Sequence, residues 1–243
     1  MAGIKKIISV AVALILVFSA QAQITSGRIV FERKVNLQKI FKDNDRVKQF
    51  LPEDVKWRIE EFELIFSDSM SAFLPIESNE PEQGFMKYLT SHNKVYTNLS
   101  KDERMVIMDM WGQQTIVNDT ITPRKWKITE SKRKFDGYLA RKAFVQIDDT
   151  TRIYAWFSAD VVPSVGPEGF GGLPGTILGL ATEDGSIIYF AKKIEALEVQ
   201  PENLVYDTKN QDVYTKEELK ALILEKMGKW VKPKDVEGMF TWL

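Results

Sequence analysis

Glu60-Glu61-Phe62-Glu63-Leu64-Ile65-Phe66 is the stretch that decides the fold class. Phe62, Leu64 and Phe66 fall on one side of an extended chain, and Glu61 and Glu63 on the other. Successive side chains of a strand leave opposite faces, so this alternation marks a half-buried strand. Ser67-Asp68-Ser69 supplies a turn, and residues 70–76 return as a second strand, which makes a hairpin.

The same pattern extends outward in both directions. Upstream, Ile29, Phe31 and Arg33 share one side of an extended run, with Val30, Glu32 and Lys34 opposite. Residues 35–50 are more helix-like, with Leu37, Ile40, Phe41 and Val47 spaced by three, four or more, and Pro52 ends the run. The polar stretch 77–83, with Pro81 and Gly84 nearby, reads as an exposed loop. Downstream, strand-like runs recur at 94–99, 104–111, 114–117, 126–129, 138–148, 152–158, 176–182 and 186–199. Asp148-Asp149-Thr150-Thr151 and Glu183-Asp184-Gly185 read as the turns of two further hairpins. Near the end, Thr215 and Glu218 form a capping box. Leu219, Leu222, Ile223 and Met227 then repeat at helical spacing up to Gly228. About ten strands with short links and one or two helices imply a mainly β, α+β protein. The expected architecture is a curved antiparallel sheet approaching a half-open barrel, with the helices packed on it.

The first residues set the compartment. Lys5 and Lys6 precede an apolar run, 7–18, and Ala20-Gln21-Ala22 is a small-x-small cleavage site, so a cleaved signal peptide 1–22 and a single domain 23–243 are expected. The apolar run falls short of the roughly 20 residues of a membrane span. The expected location is the periplasm, with secretion as the other outcome of export. The leader carries two Lys and no acid, so basic residues fall from 33 to 31 against 34 acids and the mature charge is −3. Such a balance offers no footprint for nucleic acid.

Several chemistries drop out by composition. There is no Cys and a single His, which removes thiol catalysis, thiolate metal sites and multi-His zinc sites. His92 lies in the polar stretch Thr90-Ser91-His92-Asn93-Lys94 and reads as a surface-loop residue. Met105, Met108 and Met110 have a copper-like spacing, but Met105 faces away from the other two in a strand, so core filling is expected. No metal or cofactor is expected.

Residues 166–179 are the unusual segment: Gly166, Gly169, Gly171, Gly172 and Gly175 of the chain's 14 glycines fall between 166 and 175, with Pro167 and Pro174 among them. Glycines allow close approach and positive φ, and prolines fix φ. With Phe170, Leu173, Ile177 and Leu178 interspersed, the segment reads as an ordered loop crossing a packed surface. Gly171-Gly172-Leu173 lacks the Lys-Ser/Thr that a phosphate-binding loop requires.

Gly172-Leu173-Pro174-Gly175-Thr176-Ile177-Leu178 resembles the signature of the GLPGLI family of exported bacterial proteins. Further matching stretches are 62–66, 134–143, Tyr154-Ala155-Trp156-Phe157-Ser158, Val162-Pro163 and Gly166-Pro167. Thr176 stands where the family name has Leu, and Ala140 where many members have Cys. The resemblance carries no catalytic residue. It implies a partner among outer-membrane receptor systems.

The expected function on these grounds is non-catalytic binding in the periplasm, either of an apolar ligand in a cavity or of an outer-membrane receptor. Candidate binding residues are Phe170, Gly172, Leu173, Pro174 and Gly175 of the signature loop, with Tyr154 and Trp156 on a strand apolar on both faces. One face of that strand is expected to pack on the Thr215–Met227 helix and the other to line a cavity. The alternative is a hydrolytic enzyme using paired carboxylates. Asp148-Asp149 and Glu183-Asp184 are the adjacent acids that sequence alone shows.

Overall fold

A computed structural model describes residues 23–51, 55–78, 89–110, 112–149, 151–228 and 231–240. The leader 1–22, Pro52, most of the 77–84 loop, Thr150, Trp111, Trp230 and Trp242 lie outside the described residues.

The described residues build one 12-stranded sheet. Its strands are β1 (Gly27–Asn36), β2 (Trp57–Phe66), β3 (Met70–Pro75), β4 (Lys94–Asn98), β5 (Glu103–Met110) and β6 (Gln113–Thr120), then β7 (Lys127–Phe135), β8 (Tyr138–Gln146), β9 (Arg152–Ser158), β10 (Thr176–Thr182), β11 (Ile187–Ala196) and β12 (Val213–Tyr214). Their spatial order is β12-β6-β5-β4-β3-β2-β1-β11-β10-β9-β8-β7. Neighbours pair antiparallel, except for the short parallel β12–β6 pair. Two meanders, β1 to β6 and β7 to β11, are thus joined along the β1–β11 ladder. The sheet is curved and open, with β12 and β7 at its edges, so it does not close into a barrel.

The expected hairpins form at β2–β3, β8–β9 and β10–β11. The helix-like 35–50 stretch resolves into two short helices, α1 (Leu37–Ile40) and α2 (Asp45–Lys48), capped by Asn36 and Asn44. The Thr215 capping box opens α3 (Lys216–Met227), and α4 (Pro233–Met239) follows. In one respect the expectation is corrected: α3 packs at the β6–β12 edge and not on β9. The reason is local, because Asp119 of β6 accepts the Lys216 backbone N–H and β12 leads directly into the helix. The short strand expected at 126–129 is also longer, since β7 runs to Phe135 as the other edge.

One face of the sheet carries the main core. Phe31, Phe62, Phe66 and Phe73 are fully buried there, and Phe62 stacks on Phe73 with ring centroids 5.0 Å apart. The signature loop crosses this face, with Phe170, Leu173, Ile177 and Leu178 buried in the same cluster. Gly175 explains part of its glycine content. At φ +132° a Cβ there would lie 2.1 Å from the Ser158 carbonyl oxygen, so only glycine lets the loop join β10 against β9.

Candidate functional site

The apolar face of the sheet turns polar at one end. On β1 the buried positions run Ile29, Phe31, Arg33, and on β2 the same face runs Phe66, Leu64, Phe62, Glu60, Arg58, all buried except the half-buried Glu60. Arg33 is opposite Glu60 on β2 and opposite Tyr189 on β11. Three adjacent strands therefore place a base, an acid and a phenol in one row, and burial forces them to satisfy one another. Arg33 is 3% exposed. Its Nη2 and Nε donate to Glu60 Oε2 at 2.5 and 2.9 Å, and its guanidinium lies 4.5 Å over the Phe62 ring.

Glu60 gathers further donors on its other oxygen. Arg58 Nε, the Thr90 hydroxyl and His92 Nε2 reach Oε1 at 2.7, 2.8 and 2.7 Å. Burial works to raise this carboxyl. The His92 and Thr90 hydrogen bonds and the Arg33 charge outweigh it and hold Glu60 well below the usual carboxylate range.

A second carboxylate arrives from the signature loop. Glu168 sits in the 3₁₀ turn Pro167–Gly169, in the left-handed region at φ 54°, ψ 25°. A non-glycine residue held there is strained, and such strain clusters at functional sites. The turn drives the side chain into the sheet, where the Tyr189 hydroxyl donates to Oε1 at 2.5 Å and Arg33 Nη1 lies 3.7 Å from the same oxygen. Burial raises the Glu168 carboxyl, and the Glu60 charge adds to it; the Arg33 charge and the Tyr189 bond oppose without cancelling it. Tyr189 is itself raised well above its ordinary value, first by burial and then by Glu168, so its hydroxyl keeps its proton. Two carboxyl groups one guanidinium apart are thus shifted in opposite directions.

Glu168 and Tyr189 form one wall of a pocket of about 420 Å³. Met108, Asp109 and Met110 of β5, Ser91 and Asn93 of the loop before β4, and the end of α4 complete it. Asp109 is exposed, and its Oδ1 accepts the Gly112 N–H at 3.1 Å. The pocket therefore joins a buried acid shifted upward, the exposed Asp109 side chain and apolar Met side chains.

The residues singled out from sequence lie elsewhere. Phe170 and Leu173 are buried, Gly172 lies beside the Trp126 indole, and Pro174 is exposed. Tyr154 and Trp156 project from the other face of β9, under the Lys142 ammonium at 3.9 and 5.5 Å from their rings, and Tyr154 donates to Glu183. Asp148-Asp149 and Glu183-Asp184 occupy rim turns, where Glu183 pairs with Arg152 and Asp184 accepts the Ser186 N–H. A buried carboxylate pair does exist, but it is Glu60 with Glu168, drawn from positions 108 residues apart. His92 lies in an exposed loop as expected, yet it bonds Glu60 and stacks over Phe62. A signal for the site was present: on both β1 and β2 the apolar periodicity runs on into charged residues, Arg33 and Glu60, which must then pair inside.

Residues 101–179 match a family model described as a protein of unknown function (Porph_ging), a span that ends with the signature loop and its Gly179. No curated protein matches this chain. Two solved structures of PNGF-II, in the C2 and P21 space groups, align with TM-scores of 0.55 at 14% and 15% identity, over 86% and 84% of this chain. This chain spans 34% of their length in both cases. An uncharacterized conserved protein from Thermus thermophilus aligns with a TM-score of 0.41 at 8% identity, over 79% of this chain and 90% of that one. At such identity the PNGF-II likeness is one of fold. It nonetheless corrects the expectation of a non-enzymatic binding or receptor-accessory protein with an apolar ligand. The findings favour its hydrolytic alternative instead: PNGF-II is a hydrolytic amidase, and Glu60 and Glu168 meet around Arg33 inside this sheet. Among the described residues no helix is long and apolar enough to cross a membrane.

Proposed function

We propose that the protein is a hydrolase that cleaves an amide-type bond by carboxylate acid–base catalysis in the Glu168 pocket. One observation carries this reading. Glu60 and Glu168 flank a single guanidinium, yet their environments push their protonation in opposite directions, which is how one site sets up an acid beside an ionised partner. The amide class rests on the likeness to PNGF-II.

Tyr189 and Arg33 both engage Glu168 Oε1, which leaves Oε2 to carry the proton. Asp109 takes a proton from water as the water oxygen bonds to the substrate carbonyl carbon. Glu168 delivers its proton to the departing nitrogen as the C–N bond breaks. Glu60 touches neither partner; it holds Arg33, and its negative charge adds to the burial that shifts Glu168 upward. The mature protein should hydrolyse members of a panel of p-nitroanilide and coumarin amides. Glu168→Gln should lower the rate by about 10²–10⁴-fold, the contribution of a positioned acid, with a melting temperature no lower than that of wild type. Wild-type turnover no faster than that of Glu168→Gln across the panel would overturn the reading.

Export belongs to the same proposal, supported by the 1–22 leader and its Ala20-Gln21-Ala22 site. Intact mass of the periplasmic protein should correspond to a chain beginning at Gln23. Recovery of the uncleaved chain in the membrane pellet would contradict it.

A further inference from the structure

The loop turn that presents Glu168 to the pocket rests on two more arginines on its other flank. Arg104 of β5 is 3% exposed and stands opposite Thr97 of β4 and Asp119 of β6. Its stem packs under Gly169, where a Cβ would come within 2.8 Å of Arg104 Cδ. Neither Nε nor Nη1 of Arg104 has a hydrogen-bond partner among the described residues. Arg124, in the link between β6 and β7, lays its guanidinium 4.1 Å from the centroid of the Phe170 ring. Two residues on, Trp126 Nε1 donates to the Gly171 carbonyl at 2.9 Å. Consecutive loop residues 169, 170 and 171 are thus gripped by Arg104, Arg124 and Trp126.

The charge around this grip is unbalanced. Burial, with the Arg104 charge behind it, lowers Arg124 to about 10. Burial also lowers Arg104, against the opposing pull of Asp119. Lys216, at the start of α3, is lowered by burial, then by Lys220 and Arg104. The facing acids are Asp119, Glu217 and Glu237, and Asp119 Oδ2 accepts the Lys216 backbone N–H at 2.8 Å. Arg33 shows the contrast: its guanidinium holds Glu60 at 2.5 Å and pairs with Tyr189, whereas no ion pair closes on Arg104 among the described residues. A guanidinium cannot shed its proton, so its buried N–H groups need an acceptor.

We propose that Arg104 and Arg124, beneath the Gly169–Phe170 turn, form a binding site for a compact tetrahedral oxyanion, phosphate or sulfate. The planar fork of an arginine matches two oxygens of such an ion, and two guanidiniums near enough to feel each other's charge match its charge. The ion would neutralise the arginine side of the turn and steady the loop that holds Glu168. The site is free-standing: it requires no turnover and survives the loss of the hydrolase reading.

The test uses the mature chain. Thermal unfolding is followed in rising sodium phosphate or sodium sulfate, with sodium chloride holding ionic strength constant. The melting temperature should climb along the saturable curve of a ligand that binds only the folded state. Arg104→Met and Arg124→Met should each weaken the apparent affinity by about tenfold or more, the loss of a charge-assisted bond. Line broadening of inorganic phosphate in ³¹P spectra gives a second reading of the wild type and of either variant that folds. Competition by phosphoserine would assign the site to a phosphoryl group on a larger molecule, and its failure to compete would assign it to the free ion; both sustain the site. A melting curve indifferent to both ions, or one shifted equally in wild type and variants, would overturn it. So would stabilisation by planar acetate alone.

Discussion

Glu60 lies directly opposite Arg33 across the β1–β2 ladder, and its Oε2 accepts two of that guanidinium's N–H bonds, at 2.5 and 2.9 Å. Both side chains sit on the sheet face that carries Phe31, Phe62 and Leu64. A pair so placed is held by need more than by attraction, because each charge would be stranded without the other.

Arg33→Met should therefore destabilise the fold by about 3–5 kcal/mol, the range for removing one partner of a buried pair. The variant leaves Glu60 buried with Arg58, Thr90 and His92 as its remaining donors. Urea unfolding measures the change. A variant within 1 kcal/mol of wild type, at about the noise of surface substitutions, would show that those three donors suffice.

The two carboxylates should respond to pH in different windows. Glu60 is depressed in the folded state, so its contribution is present above the ordinary value of 4.5 and is lost as pH falls through the folded value. Glu168 is raised, so its contribution is present below 4.5 and is lost as pH rises through the folded value. Melting temperatures of wild type, Glu60→Gln and Glu168→Gln across pH separate them. The Glu60→Gln deficit should shrink only below 4.5, while Glu168→Gln should gain on wild type only above it. Parallel curves for all three proteins would contradict both directions.

The signature loop should behave as a structural brace at two of its positions. Gly175→Ala forces a Cβ against the Ser158 carbonyl at a φ of +132°, and should cost about 1–3 kcal/mol or more. Leu173, 2% exposed, should cost about 2–5 kcal/mol as Leu173→Ala. Pro174→Ala, at an exposed position beside them, serves as the control and should change little. Equal melting of all three variants would mean that the loop adds nothing to stability.

Sequence periodicity determined the sheet character, the hairpins at Ser67-Asp68-Ser69 and Glu183-Asp184-Gly185, and the capped helix at Thr215. Each is set by residues within a few positions of one another, so local chemistry suffices. Glycine and proline spacing likewise marked 166–179 as an ordered crossing. Only the tertiary structure decided the site. Arg33, Glu60, Glu168 and Tyr189 belong to three strands and a loop, and their meeting depends on the register of the β1–β2 and β1–β11 ladders. The adjacent acids Asp148-Asp149 and Glu183-Asp184 were legible because they are neighbours in sequence, yet turns leave them exposed and away from the Glu168 pocket. Glu168 reads in sequence as one more polar residue of a glycine loop. Burial, with the Glu60 charge beside it, is what shifts its carboxyl upward, and burial is a property of the packed chain.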